Sequence, residues 1–147
     1  RPPLDRVNAM LSFLYTIFTR EYAAALESVG LDSYMGFYHS LRPGRESLAC
    51  DLVEEGRCIV ERFVLTLINL KIIKPEDFDV QVSGAVFLND DGRKKVLSKW
   101  QEKKRTDMIH PYLKEKIPMG LLPYVQSMLL AKFVRGEIDE YPCYLVK

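Results

Sequence analysis

The chain has 147 residues, 48% of them hydrophobic and 28% charged, with a formal net charge of +1. That length supports one domain with a true core but hardly two, and the composition excludes a disordered tail. A charge so near neutral carries no global signature of a nucleic-acid binder, so any such binding has to come from local patches.

The opening Arg1-Pro2-Pro3 shows no signal peptide and runs almost directly into a helical pattern, which reads as a chain cut out of something longer. Val7, Met10, Leu11, Leu14, Ile17, Phe18, Tyr22, Ala25, Leu26 and Val29 recur at helical spacing. They predict a helix from Asp5 to about Val29, with Asp5 as N-cap and Gly30 as C-cap. A turn-rich stretch, Gly30 to Arg45, contains Gly36 and Pro43-Gly44. A second helix is expected from Glu46 or Ser47 to Glu55, bending at Gly56. A third and very apolar one is expected from Ile59 to Leu70, where Pro75 prevents continuation. The stretch Ile59 to Ile73 carries Glu61, Arg62, Asn69 and Lys71, so it is too short and too polar to span a membrane and reads as a buried helix.

Val80, Val82, Val86 and Leu88 share an alternating face and predict a short hairpin or a single extended segment. Asn89-Asp90-Asp91-Gly92 is a turn and helix-start signal. The helix behind it is expected from about Arg93 to Ile109, with Leu97 and Trp100 on its buried face. Pro111, Pro118 and Pro123 punctuate a linker before a last helix, roughly Leu121 to Arg135, with Gly136 past its end. The apolar tail, Tyr141 to Leu145, is expected to lie extended on the body of the domain. The fold class is therefore mainly α, a helical domain over residues 1–147 with five or six helices and at most one short hairpin or extended segment. Cys50, Cys58 and Cys143 are odd in number and form no CxxC pair, so they predict reduced, mostly buried thiols in a cytoplasmic protein.

His39, Asp51, Glu54 and Glu55 are the set that could carry chemistry. The three carboxylates fall at i, i+3 and i+4 on the second helix and share one face. Their mutual repulsion would be offset by a divalent cation or by basic partners. An imidazole with carboxylates suits Mg²⁺ or Mn²⁺. Arg42 and Arg45 stand on the loop before that helix, Arg57 just after it, and Arg6 and Arg20 on the first helix. A metal with guanidiniums around it serves phosphodiester chemistry, the cation polarising one phosphate while the arginines hold its neighbours. The plainer alternatives stay open: a solvated acidic face beside a structural histidine, and Arg57 pairing along the helix with Glu54 or Glu61. A second basic group, Arg93, Lys94, Lys95, Lys99, Lys103, Lys104 and Arg105, could track a DNA backbone or be a solvated face.

Motifs in fixed order connect these residues. Gly36-Phe37-Tyr38-His39, then Arg42-Pro43-Gly44-Arg45-Glu46-Ser47-Leu48-Ala49, then Asp51-Leu52-Val53-Glu54-Glu55 resemble the signature of the CRISPR-associated spacer integrase family. Asn8-Ala9-x-Leu11-Ser12 and Gly30-Leu31-Asp32 match its usual lead-in. Phe63 to Asn69, Trp100-Gln101-Glu102 and Leu121 to Gln126 resemble the subtype that works with a RecB-like nuclease. The resemblance implies a metal-dependent DNA endonuclease and integrase of antiviral defence. In it, the 3′-hydroxyl of a short duplex spacer attacks a phosphodiester at the leader–repeat junction.

It implies a Mg²⁺ or Mn²⁺ site with His39 and Glu54 as ligands and Asp51 as a further acid beside the metal. Arg42 and Arg57 match phosphate-contacting positions, and Arg45 stands with Arg42 on the same loop. It implies an N-terminal β domain and a first Glu ligand on an earlier helix, both preceding Arg1; neither Glu21 nor Glu27 matches that ligand. The fragment alone is thus expected to be weak or inactive. The partners implied are DNA, a second copy in a homodimer, a small CRISPR-associated bridging protein and the RecB-like nuclease, with no membrane. Two readings compete: a non-catalytic helical scaffold binding protein or nucleic acid, and an unrelated metal-dependent hydrolase acting on small phosphoesters.

Overall fold

The structure is a computed structural model and describes residues 2–34 and 47–144. Asp5 caps the first helix, α1 (Arg6–Ser28), its carboxylate accepting from the Asn8 amide at 2.8 Å. Gly30 follows the C-cap at φ +85°, and the Leu31 amide returns to the Leu26 carbonyl at 2.9 Å, closing the helix as a left-handed cap does. α2 (Ser47–Glu55) starts where the Ser33 carbonyl accepts from the Leu48 amide at 2.8 Å. α3 (Arg57–Asn69) follows after the single residue Gly56. A Cβ at Gly56 would lie 2.8 Å from Cε2 of Phe18, so the break between α2 and α3 packs closely on α1.

A 3-10 turn (Pro75–Asp77) leads into the antiparallel pair β1 (Phe78–Val80) and β2 (Val86–Leu88), in register Phe78 with Leu88 and Val80 with Val86. Asn89 then caps α4 (Asp90–Lys104) by accepting from the Gly92 amide at 2.8 Å. α4 is shorter than the sequence pattern predicts. Residues Asp107–Ile109 leave the helix as β3 and pair antiparallel with β4 (Lys116–Pro118), so the fold has a second hairpin in the region read as helix end and linker. Met108 and Ile109 fit either a helical or a strand period, and only the pairing with Ile117 and Lys116 decides between them. After a 3-10 turn, α5 (Leu122–Val134) completes five α-helices among the described residues. The chain is mainly α.

A main core joins most of these parts, and a smaller cluster of Ile117, Val125 and Leu129 joins β4 to α5. α1 contributes Met10, Leu14, Phe18, Tyr22 and Leu26, and α2, α3 and α5 pack onto it. Trp100 is fully buried, its ring edge-on to Phe18 (centroids 5.5 Å apart) and to Phe63 (5.2 Å). Its companion on the inner face of α4 is Val96, not Leu97, which is 37% exposed. Positions 96 and 100 are one turn apart at i, i+4, which aligns them better than the i+3 pair. The cysteines also depart from expectation: Cys58 and Cys143 are exposed and only Cys50 is partly buried, all three free. Cys58 falls on the outer face of α3, whose inner face is filled by Val60, Phe63, Val64 and Leu67. No helix among the described residues is long and apolar enough to cross a membrane.

Candidate metal and nucleic-acid site

His39, Arg42 and Arg45 lie outside the described residues. The carboxylates of α2 are described, and they do not share a face in the simple sense that i, i+3, i+4 spacing suggests. Asp51 is buried, only 1% exposed. Glu54 is half exposed and accepts from Arg57 Nη1 at 2.8 Å. Glu55 turns inward, onto the C-terminal segment. Among the described residues no group of three or more His, Cys, Asp and Glu gathers as metal ligands do.

Arg57 is engaged along the helices. Besides Glu54, its Nε lies 3.4 Å from Glu61 and its guanidinium sits 5.4 Å above the Tyr15 ring. The Glu54 charge, with Tyr15 beside it, favours the cationic form. Half of the Arg57 side chain remains open to solvent, so the group can still meet a phosphate.

The inward carboxylate has the densest hydrogen bonding. Glu55 Oε1 accepts from Tyr141 Oη at 2.8 Å, from the Tyr144 amide at 2.8 Å and from Gln126 Nε2 at 3.2 Å; Tyr141 Oη also lies 3.0 Å from Oε2. Gln126 Nε2 reaches Tyr141 Oη at 2.8 Å and the Pro142 carbonyl at 3.2 Å. The Gln126 carbonyl oxygen lies 2.6 Å from Nε2 of the buried His110. Nδ1 of that ring accepts from the amides of Tyr112 and Leu113, both at 3.2 Å, which assigns the ring proton to Nε2. The donors therefore run one way: amides to His110, His110 to Gln126, Gln126 to Tyr141, Tyr141 to Glu55. Burial pushes the Glu55 carboxyl up, partly opposed by the Tyr144, Tyr141 and Gln126 bonds. Burial, then the Glu55 charge, raises the Tyr141 hydroxyl far above its ordinary value.

Sequence reasoning placed the tail on the body of the domain, where Tyr144 is indeed buried. It named Glu55 only as one of the clustered carboxylates of α2, and it missed Gln126 and His110. A signal for one of them existed: Gln126 is a polar residue among the apolar Leu122, Val125, Leu129 and Leu130, and an amide in such a setting needs partners.

Of the seven cations between Arg93 and Arg105, four are paired. Arg93 meets Asp90, Lys95 meets Asp77 at 3.0 Å, Lys99 meets Glu102 at 3.2 Å and Lys104 meets Glu21 at 3.1 Å. Lys94, Lys103 and Arg105 form no ion pair among the described residues, so the free charge of this face is about half its nominal value. Lys99 and Lys103, with Arg62, line a cleft of about 320 Å³ between α3 and α4 over the apolar Phe63, Leu67 and Ile72.

A helical domain whose short second helix carries a buried and an exposed carboxylate, with an arginine against the exposed one, is the class of protein described so far. The family of the CRISPR associated protein Cas1 matches residues 1–102, and the chain belongs to that family. It is 51% identical over 148 residues to the CRISPR-associated endonuclease Cas1 2 of Rhodospirillum rubrum, covering all of this chain and 43% of that protein. It is 44% identical over 147 residues to the CRISPR-associated endonuclease Cas1 of Leptospira interrogans, covering all of this chain and 58% of that one. The chain thus spans about half the length of these relatives. Among solved structures, a casposase bound to integration product superposes with TM-score 0.88 at 25% identity, over 97% of this chain and 41% of the casposase. A Cas1 protein from Thermotoga maritima gives 0.82 at 26% identity, over 92% and 42% respectively.

Proposed function

We propose that this chain is the helical catalytic part of a longer metal-dependent DNA integrase and endonuclease. On this reading the parent protein inserts short duplex spacers into a CRISPR array by attack of a 3′-hydroxyl on a phosphodiester. The observation that carries it is the superposition of 97% of this chain on part of a casposase bound to integration product, together with membership of the Cas1 family. The local chemistry is compatible. Asp51 and Glu54 are hard oxygen donors one helical turn apart, the kind that Mg²⁺ or Mn²⁺ takes in mixed oxygen and imidazole sites. His39 and Glu54 are the ligands on this reading, and Asp51 is the acid beside them. A further Glu would come from sequence preceding Arg1, with the N-terminal β domain.

The bound cation supplies charge stabilisation at the attacked phosphate. The chain's own residues do the rest. Arg57, held over Tyr15 and against Glu54, is placed to exchange its carboxylate partner for a phosphate oxygen, a geometry that planar guanidinium favours. On the same reading Arg42 and Arg45 hold flanking phosphates. Asp51, buried one turn before Glu54 on the same helix, is the acid beside the ligand set on this reading.

For partners, the reading names a second copy, a small bridging protein and a RecB-like nuclease. Two findings support protein partners of this kind. The structure of a Cas6-RT-Cas1–Cas2 complex superposes with TM-score 0.79. A Cas4 exonuclease/Cas1 endonuclease fusion of Geobacter sulfurreducens is 41% identical to the chain.

The test is Mn²⁺-dependent strand transfer of a short duplex into a repeat-bearing plasmid. It uses the complete parent polypeptide with its small bridging partner, and compares His39→Ala and Glu54→Ala with wild type. Loss of integration in both, with folding and DNA binding kept, supports the site. Wild-type integration in both removes the ligand assignment. No strand transfer by the intact parent puts the non-catalytic scaffold ahead.

A further inference from the structure

Glu54 and Glu55 are neighbours on a helix of nine residues, too short to hold its own geometry without tertiary contacts. Successive helical side chains diverge by about 100°. Any rotation of the last turn of α2 therefore moves both together, and whatever clamps one aims the other. Glu55 is the clamped member. Its carboxylate receives a tyrosine hydroxyl, a backbone amide and a side-chain amide, from α5 and from the tail.

We infer that Glu55 is a positioning residue for Glu54: the segment from Tyr141 to Tyr144 grips the Glu55 carboxylate and so fixes the direction in which Glu54 leaves α2. The inference rests on the reading of Glu54 as a metal ligand. A purely structural acid would be equally served by any contact that buries it. Here three donors meet one oxygen, Oε1, while among the described residues Oε2 meets only the Tyr141 hydroxyl. Glutamine at this position retains Oε1 for all three donors and turns its amide toward Tyr141 Oη, which can accept. Alanine removes the grip. Tyr141→Phe removes a single oxygen and leaves the ring in place.

The experiment uses the full-length parent polypeptide. Free Mn²⁺ is followed by electron paramagnetic resonance during titration, and strand transfer gives kcat and the KM for DNA. Glu55→Ala is expected to weaken Mn²⁺ binding about tenfold, the range seen when groups that orient a metal ligand are lost. Its kcat falls with it, while the KM for DNA stays put. Glu55→Gln is expected to restore both Mn²⁺ affinity and kcat, and Tyr141→Phe to fall between. If Glu55→Ala does not fold, Tyr141→Phe against wild type carries the test alone. Wild-type Mn²⁺ affinity and kcat in Glu55→Ala and Tyr141→Phe, beside a Glu54→Ala variant that has lost both, overturns the positioning role alone. Wild-type values in Glu54→Ala bring down the ligand assignment, and this inference with it.

Discussion

The indole of Trp100 donates to Glu21 Oε1 at 2.8 Å, joining α4 to α1 through a partly buried acid. Glu21 also accepts from Lys104 at 3.1 Å, so its charge is matched. Removing the acid leaves a fully buried indole N–H without an acceptor. Glu21→Ala should cost about 2 kcal/mol, the range for orphaning a buried donor. Glu21→Gln keeps the indole bond and loses only the partly exposed ion pair, for about 0.5–1 kcal/mol. Urea unfolding of the three proteins measures the difference, and equal losses in both variants would mean the indole bond contributes nothing.

Gly92 gives a prediction opposite to helix propensity. It lies in the first turn of α4, where alanine would ordinarily gain close to 1 kcal/mol. A Cβ there would stand 2.3 Å from the Asp77 carbonyl oxygen and 2.9 Å from Leu88 Cδ2. Backbone on one side leaves little room to yield. Gly92→Ala should therefore destabilise by about 1–3 kcal/mol, as overpacking does, and a raised melting temperature would refute the clash.

Asp77 makes acid stability sensitive to one ion pair. Burial pushes its carboxyl up. The Lys74 amide at 2.8 Å and the Lys95 ammonium at 3.0 Å outweigh that, and the group ends below its ordinary 3.8. A depressed carboxyl contributes stability in full above its unfolded value and loses it as pH falls through the folded one. The melting temperature of wild type should accordingly exceed that of Asp77→Asn at pH 6. The gap should close on acidification below about pH 3.8. A gap that does not change with pH would show that the ion pair is not responsible.

Arg57 should separate stability from binding. Its pairs with Glu54 and Glu61 are about half exposed, so Arg57→Ala should change folding stability by less than about 1 kcal/mol. If it meets a phosphate, DNA affinity of the parent protein should fall for all sequences alike, and the salt slope should shrink by about 1. Affinity and slope equal to wild type would leave Arg57 as a surface partner of Glu54 only.

The helix boundaries were readable because their causes are local. Asp5, Gly30, Gly56 and Asn89 each act within four residues of the element they start or stop. The end of α4 was not readable, since Met108 and Ile109 satisfy both periods and the deciding strand lies beyond Pro111. Leu97 and Val96 are equally apolar, and only the position of Trp100 against Phe18 and Phe63 selects between them. In the site, the spacing of Asp51, Glu54 and Glu55 was legible but their separate fates were not. The partners of Glu55 lie 71 to 89 positions further along the chain, and no window of local pattern reaches that far.

The one-way order of donors from His110 to Glu55 has a consequence for inheritance. Replace His110 by a residue that offers no N–H, and the buried Gln126 carbonyl loses its donor while Glu55, Tyr141 and the Pro142 carbonyl still hold the amide nitrogen. A change at any one of positions 55, 110, 126 and 141 thus alters what the other three can be, although they belong to α2, the hairpin loop, α5 and the tail. Across the Cas1 family these four positions should vary as a set.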